Sequence, residues 1–340
     1  MTAAPSDQLG DLFRSLSIPT GAGERGRSFT ASLTPHLASV RIAKDSVGEP
    51  YFLIPSLRGT VSAPPIRLDH LVVQHDVLCR VTDPRGRTEY SNFSIVGCSG
   101  GDSVLQAYFI RSISSVLSML GPEPDPAQIS NTIAKLVDLF HSMRRPPRGS
   151  VQGLWAETFL LAVSTDPLTL LTAWRSEPED LYDFNSGDQR IEVKSARGTR
   201  RHVFRLEQLY PTGGTKCTVV SILVNPSGAG ESVSDLAVHV RARIGQSATA
   251  SARLDLVIAQ TLGEDWRLAY EARFDLEFAL ESLQFFRSES VPRIPAELPR
   301  GVSEVHFTSD LSNALKLPRS DLAASGGIFA AAIPNRAQWN

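Results

Sequence analysis

The chain is 340 residues long, which gives room for about two domains with a core in each. Hydrophobic residues make up 42% of it and charged residues 21%, a balance that excludes a disordered chain, a collagen-like chain and a coiled coil. The formal net charge of −2 provides no global field to draw in nucleic acid, so such a partner must be met by local basic patches.

The opening MTAAPSDQLGDLF has no basic segment followed by an apolar one, and no apolar run reaches the roughly 18 residues that would span a bilayer. These features predict a protein that is neither exported nor embedded in a membrane. Residues 1–27 read as a short helix around Leu9–Leu16 followed by a loose segment. From Ser28 to about Val96 apolar positions alternate, as in Val77, Cys79 and Val81, and Asp83-Pro84-Arg85-Gly86 is a turn signal, so an antiparallel meander is expected. Asp102 can cap a helix to about Leu120, stopped by Gly121-Pro122, and Ile129, Ile133, Leu136 and Phe140 mark a second. Residues 28–143 thus read as a β-rich and helical N-terminal domain suited to recognition or partner contact. The stretch Arg144-Arg145-Pro146-Pro147-Arg148-Gly149 breaks every pattern and sets a boundary.

Beyond it, Ser150 can cap a helix through about Val163, and Asp166-Pro167 can start a short one ending near Trp174. Strands are expected at Asp180–Phe184, Gln189–Ala196 and Cys217–Val224, with an extended run or short helix at His202–Leu209. Helices at Glu231–Ile244 and about Ala248–Leu262 and a strand near Ala272–Phe278 follow. The order predicts an α/β core over 150–290, a mixed sheet flanked by helices, and a Pro-punctuated C-terminal tail over 291–340.

The hairpin between Asp180 and Ala196 carries the most chemistry. With a loop of Ser186-Gly187 or Asn185–Asp188, Phe184 faces Gln189, Asp183 faces Arg190 and Tyr182 faces Ile191. Tyr182, Phe184, Ile191 and Val193 then form a core face, while Asp183, Arg190, Glu192 and Lys194 gather on the wet side. Asp183 and Glu192 become diagonal neighbours, roughly 7–8 Å apart between Cα atoms, close enough to share one hard cation. Oxygen ligands favour Mg²⁺ over zinc, and such an ion polarises a phosphodiester and acidifies a bound water, while a lysine ammonium offsets charge on phosphorus. A charged outer face is what any half-exposed sheet shows, but the chain has only five lysines, and one of them completes Glu192-Val193-Lys194. Glu157 stands among Leu154, Leu160 and Leu161 on its helix, where a carboxylate needs a partner such as a metal or lysine. Lys194, Arg197, Arg200, Arg201 and Arg205 follow without an acidic residue among them, a run able to hold phosphates, with His202 beside it.

Glu157 in a helix, then Asp183, then Glu192-Val193-Lys194 resembles the PD-(D/E)xK nuclease superfamily. More narrowly, Gly153-Leu154-Trp155-Ala156-Glu157, Ile191–Ser195 and His202–Leu209 resemble an uncharacterised bacterial family of restriction-endonuclease-like PD-(D/E)xK proteins. The resemblance implies a restriction-endonuclease-like fold and Mg²⁺-dependent cleavage of double-stranded DNA, with Mn²⁺ able to substitute. It also implies a role in restriction or anti-phage defence, beside a methyltransferase and a helicase-like ATPase. Carried over, Asp183 and Glu192 are metal ligands, Lys194 the catalytic lysine, Glu157 a further ligand or water-positioning acid, and Gln208 a supporting polar residue. Arg197, Arg200, Arg201, His202 and Arg205 are the DNA-binding candidates. Tyr182 stands where the superfamily's name has Pro. One site per chain makes a homodimer the expected form for a double-strand break. The competing expectation is a non-catalytic DNA-binding or adaptor subunit of a defence complex that keeps the fold.

Other signals carry less. Gly97-Cys98-Ser99-Gly100-Gly101 matches G-x-S-x-G, but the antiparallel strands before it lack the parallel sheet a nucleophile elbow requires. Gly228-Ala229-Gly230 has no Gly-Lys-Ser/Thr after it and reads as a turn. Arg144, Arg145 and Arg148 read first as a solvated hinge. The histidines show no metal spacing, and Cys79, Cys98 and Cys217 are odd in number and form no CxxC, which predicts a reducing cytoplasm without disulfides.

Overall fold

The computed structural model describes residues 5–20, 26–35, 39–55, 65–100, 102–117, 126–175, 177, 180–245 and 247–338, with backbone alone for 5–7, 115 and 126–130. Two compact units divide the chain, Met1–Arg144 and Arg145–Asn340.

In the first unit, helix α1 (Pro5–Ser15) precedes strands β1 (Arg27–Leu33), β2 (Arg41–Lys44), β3 (Pro50–Pro55), β4 (Ile66–Arg67), β5 (Leu71–Thr82) and β6 (Thr88–Cys98). Helices α2 (Ser103–Leu117) and α3 (Pro126–Ser142) follow. Asp83 closes the β5–β6 turn by accepting from the backbone N–H of Arg85 and Arg87 at 2.9 and 2.8 Å. The strands run β1-β2-β3-β6-β5, and β1 also pairs with β5 in parallel, Phe29 opposite Val81. The meander expected from alternation is therefore closed into a barrel by a long-range pairing that local pattern does not encode. Phe29, Ala31, Tyr51, Leu53, Cys79, Val81, Phe93 and Ile95 fill its interior. Gly97 lies against the Tyr51 ring, where a Cβ would come within 2.1 Å of a ring carbon, so the G-x-S-x-G stretch begins in this packed barrel wall. Asp102 caps α2 by accepting from Leu105 N. The expected stop at Leu120, Gly121 and Pro122 lies outside the described residues.

In the second unit, Ser150 accepts from Gly153 N and starts α4 (Val151–Val163), and Asp166 caps α5 (Pro167–Ala173). Then come β7 (Phe184–Ser186), β8 (Gln189–Ala196), β9 (Arg201–Arg205), a 3₁₀ turn at Leu206–Leu209, β10 (Lys216–Leu223) and β11 (Pro226–Ser232). Helices α6 (Val233–Ile244), α7 (Ala248–Leu262) and α8 (Leu268–Glu271) are followed by β12 (Arg273–Phe274), α9 (Leu276–Ser282) and β13 (Gln284–Arg287). The chain ends with β14 (His306–Asp310), α10 (Arg319–Ser325) and α11 (Gly327–Ala331).

The sheet order is β13-β10-β8-β7, with β8 and β10 parallel and both flanking pairs antiparallel, so the sheet is mixed. One face, carrying Ile191, Val193, Val220 and Ile222, packs against Phe159, Leu160, Leu236, Val240 and Leu254. Val219, on the other face, packs with Phe204, Leu209, Phe286, Val291 and Leu311. Helix α4 is buried from Leu154 to Val163, which is why its apolar residues show no single stripe.

Four expectations change. The strand expected at Asp180–Phe184 begins only at Phe184 and runs to Ser186. The strand expected near Ala272–Phe278 shrinks to β12, because Asp275 accepts from Phe278 N and starts α9 instead. Gly228-Ala229-Gly230 is strand, and a Cβ on Gly230 would stand 2.2 Å from the Phe274 carbonyl oxygen, so its glycine serves the approach of β12. The segment after 290, expected as a tail, supplies β14 as the partner of β9 and places Leu322, Ile328 and Phe329 in the core.

Candidate active site

β7 and β8 pair with Phe184 opposite Ile191, Asn185 opposite Arg190 and Ser186 opposite Gln189. The connection is Gly187-Asp188, with Gly187 at φ 52°, the left-handed conformation that a hairpin turn with Gly in first position requires. This corrects the expected register, which centred the turn one residue earlier. The consequence is chemical. Continued by one pair, the observed register sets Asp183 directly across from Glu192 instead of on a diagonal.

The acids also do not stand on a wet face. Glu192 is opposite Val219 in the parallel pair with β10, so it shares the face covered by Phe204 and Leu209, and only 4% of it is exposed. Asp183 retains 16% side-chain exposure and Lys194 19%. Asp183 Oδ2 accepts from Val193 N at 2.7 Å, which fixes its carboxylate beside the strand.

Glu192 Oε1 receives two donors, Lys194 Nζ at 2.7 Å and Gln208 Nε2 at 2.7 Å. Gln208 Nε2 also donates to the Leu181 carbonyl, while its Oε1 accepts from Lys194 Nζ at 3.2 Å and Arg205 N at 3.0 Å. Turned over, the amide would set donor against donor at Lys194 and Arg205 and acceptor against acceptor at Glu192 and Leu181, so the network admits one orientation. The Lys194 ammonium also lies 5.1 Å from the Phe204 ring centroid. Burial, and then the facing charge of Glu192, hold the Asp183 carboxyl well above the usual carboxylate range. Burial also raises Glu192, opposed by Lys194. Glu192 Oε2 is buried and has no hydrogen-bond partner among the described residues.

Glu157 has partners, but neither is a lysine. Its Oε2 accepts from Trp174 Nε1 at 2.7 Å and Arg175 Nε at 3.1 Å, and Arg175 Nη2 lies 3.4 Å from Oε1. Arg175 is 7% exposed, donates to Thr261 Oγ1 at 2.9 Å, and stands 4.0 Å from Asp183 Oδ1. Sequence reading missed this arginine. The one available signal was a buried-looking Glu157 in need of a cation, and spacing along the chain does not say which cation arrives.

The DNA-binding candidates separate. Arg197, Arg201 and Arg205 are exposed. Arg200 and His202 are not, and their place in the expected basic run is corrected. Strand alternation turns them inward. Arg200 donates to Ser221 O at 3.0 Å, Ser221 Oγ at 2.8 Å and the Ser282 carbonyl, and His202 Nε2 bonds to Ser221 Oγ at 2.8 Å. Both tie β9 to β10 from inside.

Among the described residues no group of three or more His, Cys, Asp or Glu side chains converges to hold a metal. What converges is a pair: Asp183 and Glu192, with a buried orphan oxygen on the latter. Two oxygen donors and an unsatisfied lone pair fit a hard divalent cation that keeps part of its water shell. The Cys217 thiol, in the same unit, is pushed well up by burial and then by the charge of Glu192, and offers no competing soft ligand.

A family model described as "Putative PD-(D/E)XK family member" (DUF4420) matches residues 9–312, a span that enters both units. No curated protein and no solved structure matches the chain. No helix among the described residues is long and apolar enough to cross a membrane.

Proposed function

The chain belongs to the DUF4420 family of PD-(D/E)XK proteins, and from that premise we propose that it is an Mg²⁺-dependent DNA endonuclease acting in restriction or anti-phage defence. The observation that carries the reading is Glu192 and Lys194 joined through Gln208, with the Asp183 carboxylate held beside the same strand at Val193 N and Glu192 Oε2 left without a partner among the described residues. Asp183 and Glu192 would hold the ion; when bound, it supplies Lewis-acid polarisation of the phosphodiester and a more acidic water.

The chain's own groups do the rest. Gln208 keeps the Lys194 ammonium beside Glu192, where its charge opposes the negative charge that grows on phosphorus as water attacks. The bond from phosphorus to the 3′-oxygen breaks, leaving a 3′-hydroxyl and a 5′-phosphate. Arg197, just after β8, and Arg201 and Arg205, on β9, are exposed and would hold backbone phosphates of double-stranded DNA. One site per chain cuts one strand, so a double-strand break takes a homodimer.

The test is incubation of the full chain with supercoiled plasmid, methylated and unmethylated, across Mg²⁺, Mn²⁺ and Ca²⁺. Nicked or linear product is expected from wild type, with loss of roughly 100-fold or more in Asp183→Ala and Lys194→Ala that keep the wild-type circular dichroism. Wild type inert with every ion on both substrates would falsify the catalytic reading. DNA binding with no divalent-ion heat that distinguishes wild type from Asp183→Ala would identify an adaptor instead.

A further inference from the structure

We propose that Arg175 limits the site to one divalent ion, held by Asp183 and Glu192, with Glu157 serving as the counter-ion of Arg175 and not as a ligand. The inference rests on the metal-binding reading above and goes beyond it by fixing ligand set and stoichiometry.

Three carboxylates surround the site, and they differ in what already satisfies them. Glu157 is engaged at both oxygens, by Trp174 Nε1 and by the Nε and Nη2 of Arg175. Glu192 presents a buried Oε2 with no partner among the described residues, and Asp183 spends Oδ2 on Val193 N while its Oδ1 lies 4.0 Å from Arg175 Nε. The guanidinium is fixed from several sides. Its Nη2 also reaches Thr261 Oγ1, itself bonded to Val257 O, and the Arg175 backbone N–H donates to Asp183 O at 2.8 Å. A planar, permanently charged group held this way cannot swing out to release Glu157. It occupies the space between Glu157 and Asp183 where a second cation would sit, and two positive charges there would repel at short range in a dry pocket. Removing either member of this buried pair alone would strand the other's charge.

The experiment is titration of the full chain with Mn²⁺, without DNA, read by calorimetry and by electron paramagnetic resonance, which reports spin coupling when two ions are close. Wild type is expected to bind one uncoupled ion. The double variant Glu157→Gln/Arg175→Met removes the pair without changing net charge, and is expected to bind one ion within about threefold of the wild-type affinity, since outer partners tune a site more weakly than ligands do. Asp183→Asn and Glu192→Gln each lose the ion. Should the double variant not fold, the wild-type stoichiometry decides by itself, one uncoupled ion supporting the inference and two coupled ions overturning it. Two coupled ions in wild type, or loss of binding in the folded double variant, would overturn the inference while leaving the nuclease reading intact. No Mn²⁺ binding by folded wild type would remove the metal reading itself, and this inference with it.

Discussion

His202 illustrates how a residue beside a basic cluster can be structural. It is 3% exposed, and burial first, then the charges of Lys194 and Arg200, push its imidazole down to about 4 from the ordinary 6.5. Because the folded-state value is lowered, the fold prefers the neutral ring. That preference contributes fully above pH 6.5, where the unfolded chain is neutral too, and is lost as pH falls through 6.5 to about 4. The full gap corresponds to roughly 3 kcal/mol. Urea denaturation at pH 7, 5.5 and 4.5 should therefore show wild type losing up to roughly 3 kcal/mol more on acidification than His202→Gln, whose amide can still bond to Ser221. The raised carboxyls of Asp183 and Glu192 act in the opposite direction, favouring the fold at lower pH, but are common to both proteins. Equal losses in the two proteins would show that the ring takes up its proton without cost to the fold.

At the scale of elements, β9 works as a two-sided strip. His202 and Phe204 point into the second layer, while Arg201, Val203 and Arg205 point outward. Across the strand pair, Asp310 stands opposite Arg201 and His306 opposite Arg205. A carboxylate neighbour reduces what Arg201 can offer a phosphate, so Arg205 is the stronger contact of the two. If both touch DNA, Arg201→Gln/Arg205→Gln should lower the magnitude of the log affinity against log salt slope by up to about two, with Arg205→Gln giving the larger single change. An unchanged slope in filter binding between low and moderate salt would place the DNA elsewhere. That Glu192 and Lys194 share a face was legible in the sequence, because E-x-K on a strand sets both side chains on one side. Their depth was not, because the cover comes from Phe204, Leu209 and the remote strand β14. The register was off because Asn185-Ser186-Gly187-Asp188 offers several turns of similar chemistry, and only the backbone shows which residue takes positive φ. Arg175 was illegible for a related reason: it meets Glu157 through the folding of α4, α5 and α7, not through spacing.

For the molecule as a whole, the break at Arg144–Gly149 was visible as a run of Arg, Pro and Gly, whereas the parallel β1–β5 closure of the barrel joins segments about fifty residues apart and leaves no periodic trace. Residues 144–150 are exposed, but they are not equally loose. Glu264 N donates to Arg145 O at 2.9 Å, Gly263 lies so close that a Cβ would stand 2.0 Å from that oxygen, and Arg148 N and Gly149 N both donate to Thr261 O. The strapping begins at Arg145 and belongs to the second unit. Trypsin should therefore cut first after Arg144, since the Arg145–Pro146 bond resists it and the backbone at Arg148–Gly149 is tied down. Mass spectrometry of a brief digest should find fragments ending at Arg144 and beginning at Arg145. Glu157, Arg175, Asp183, Glu192, Lys194 and Gln208 all lie beyond that point, so the nicked protein should bind Mn²⁺ with the affinity of the intact chain. A first cut inside either unit would contradict the division, and a nicked protein that no longer binds the ion would mean that residues before 145 complete the site.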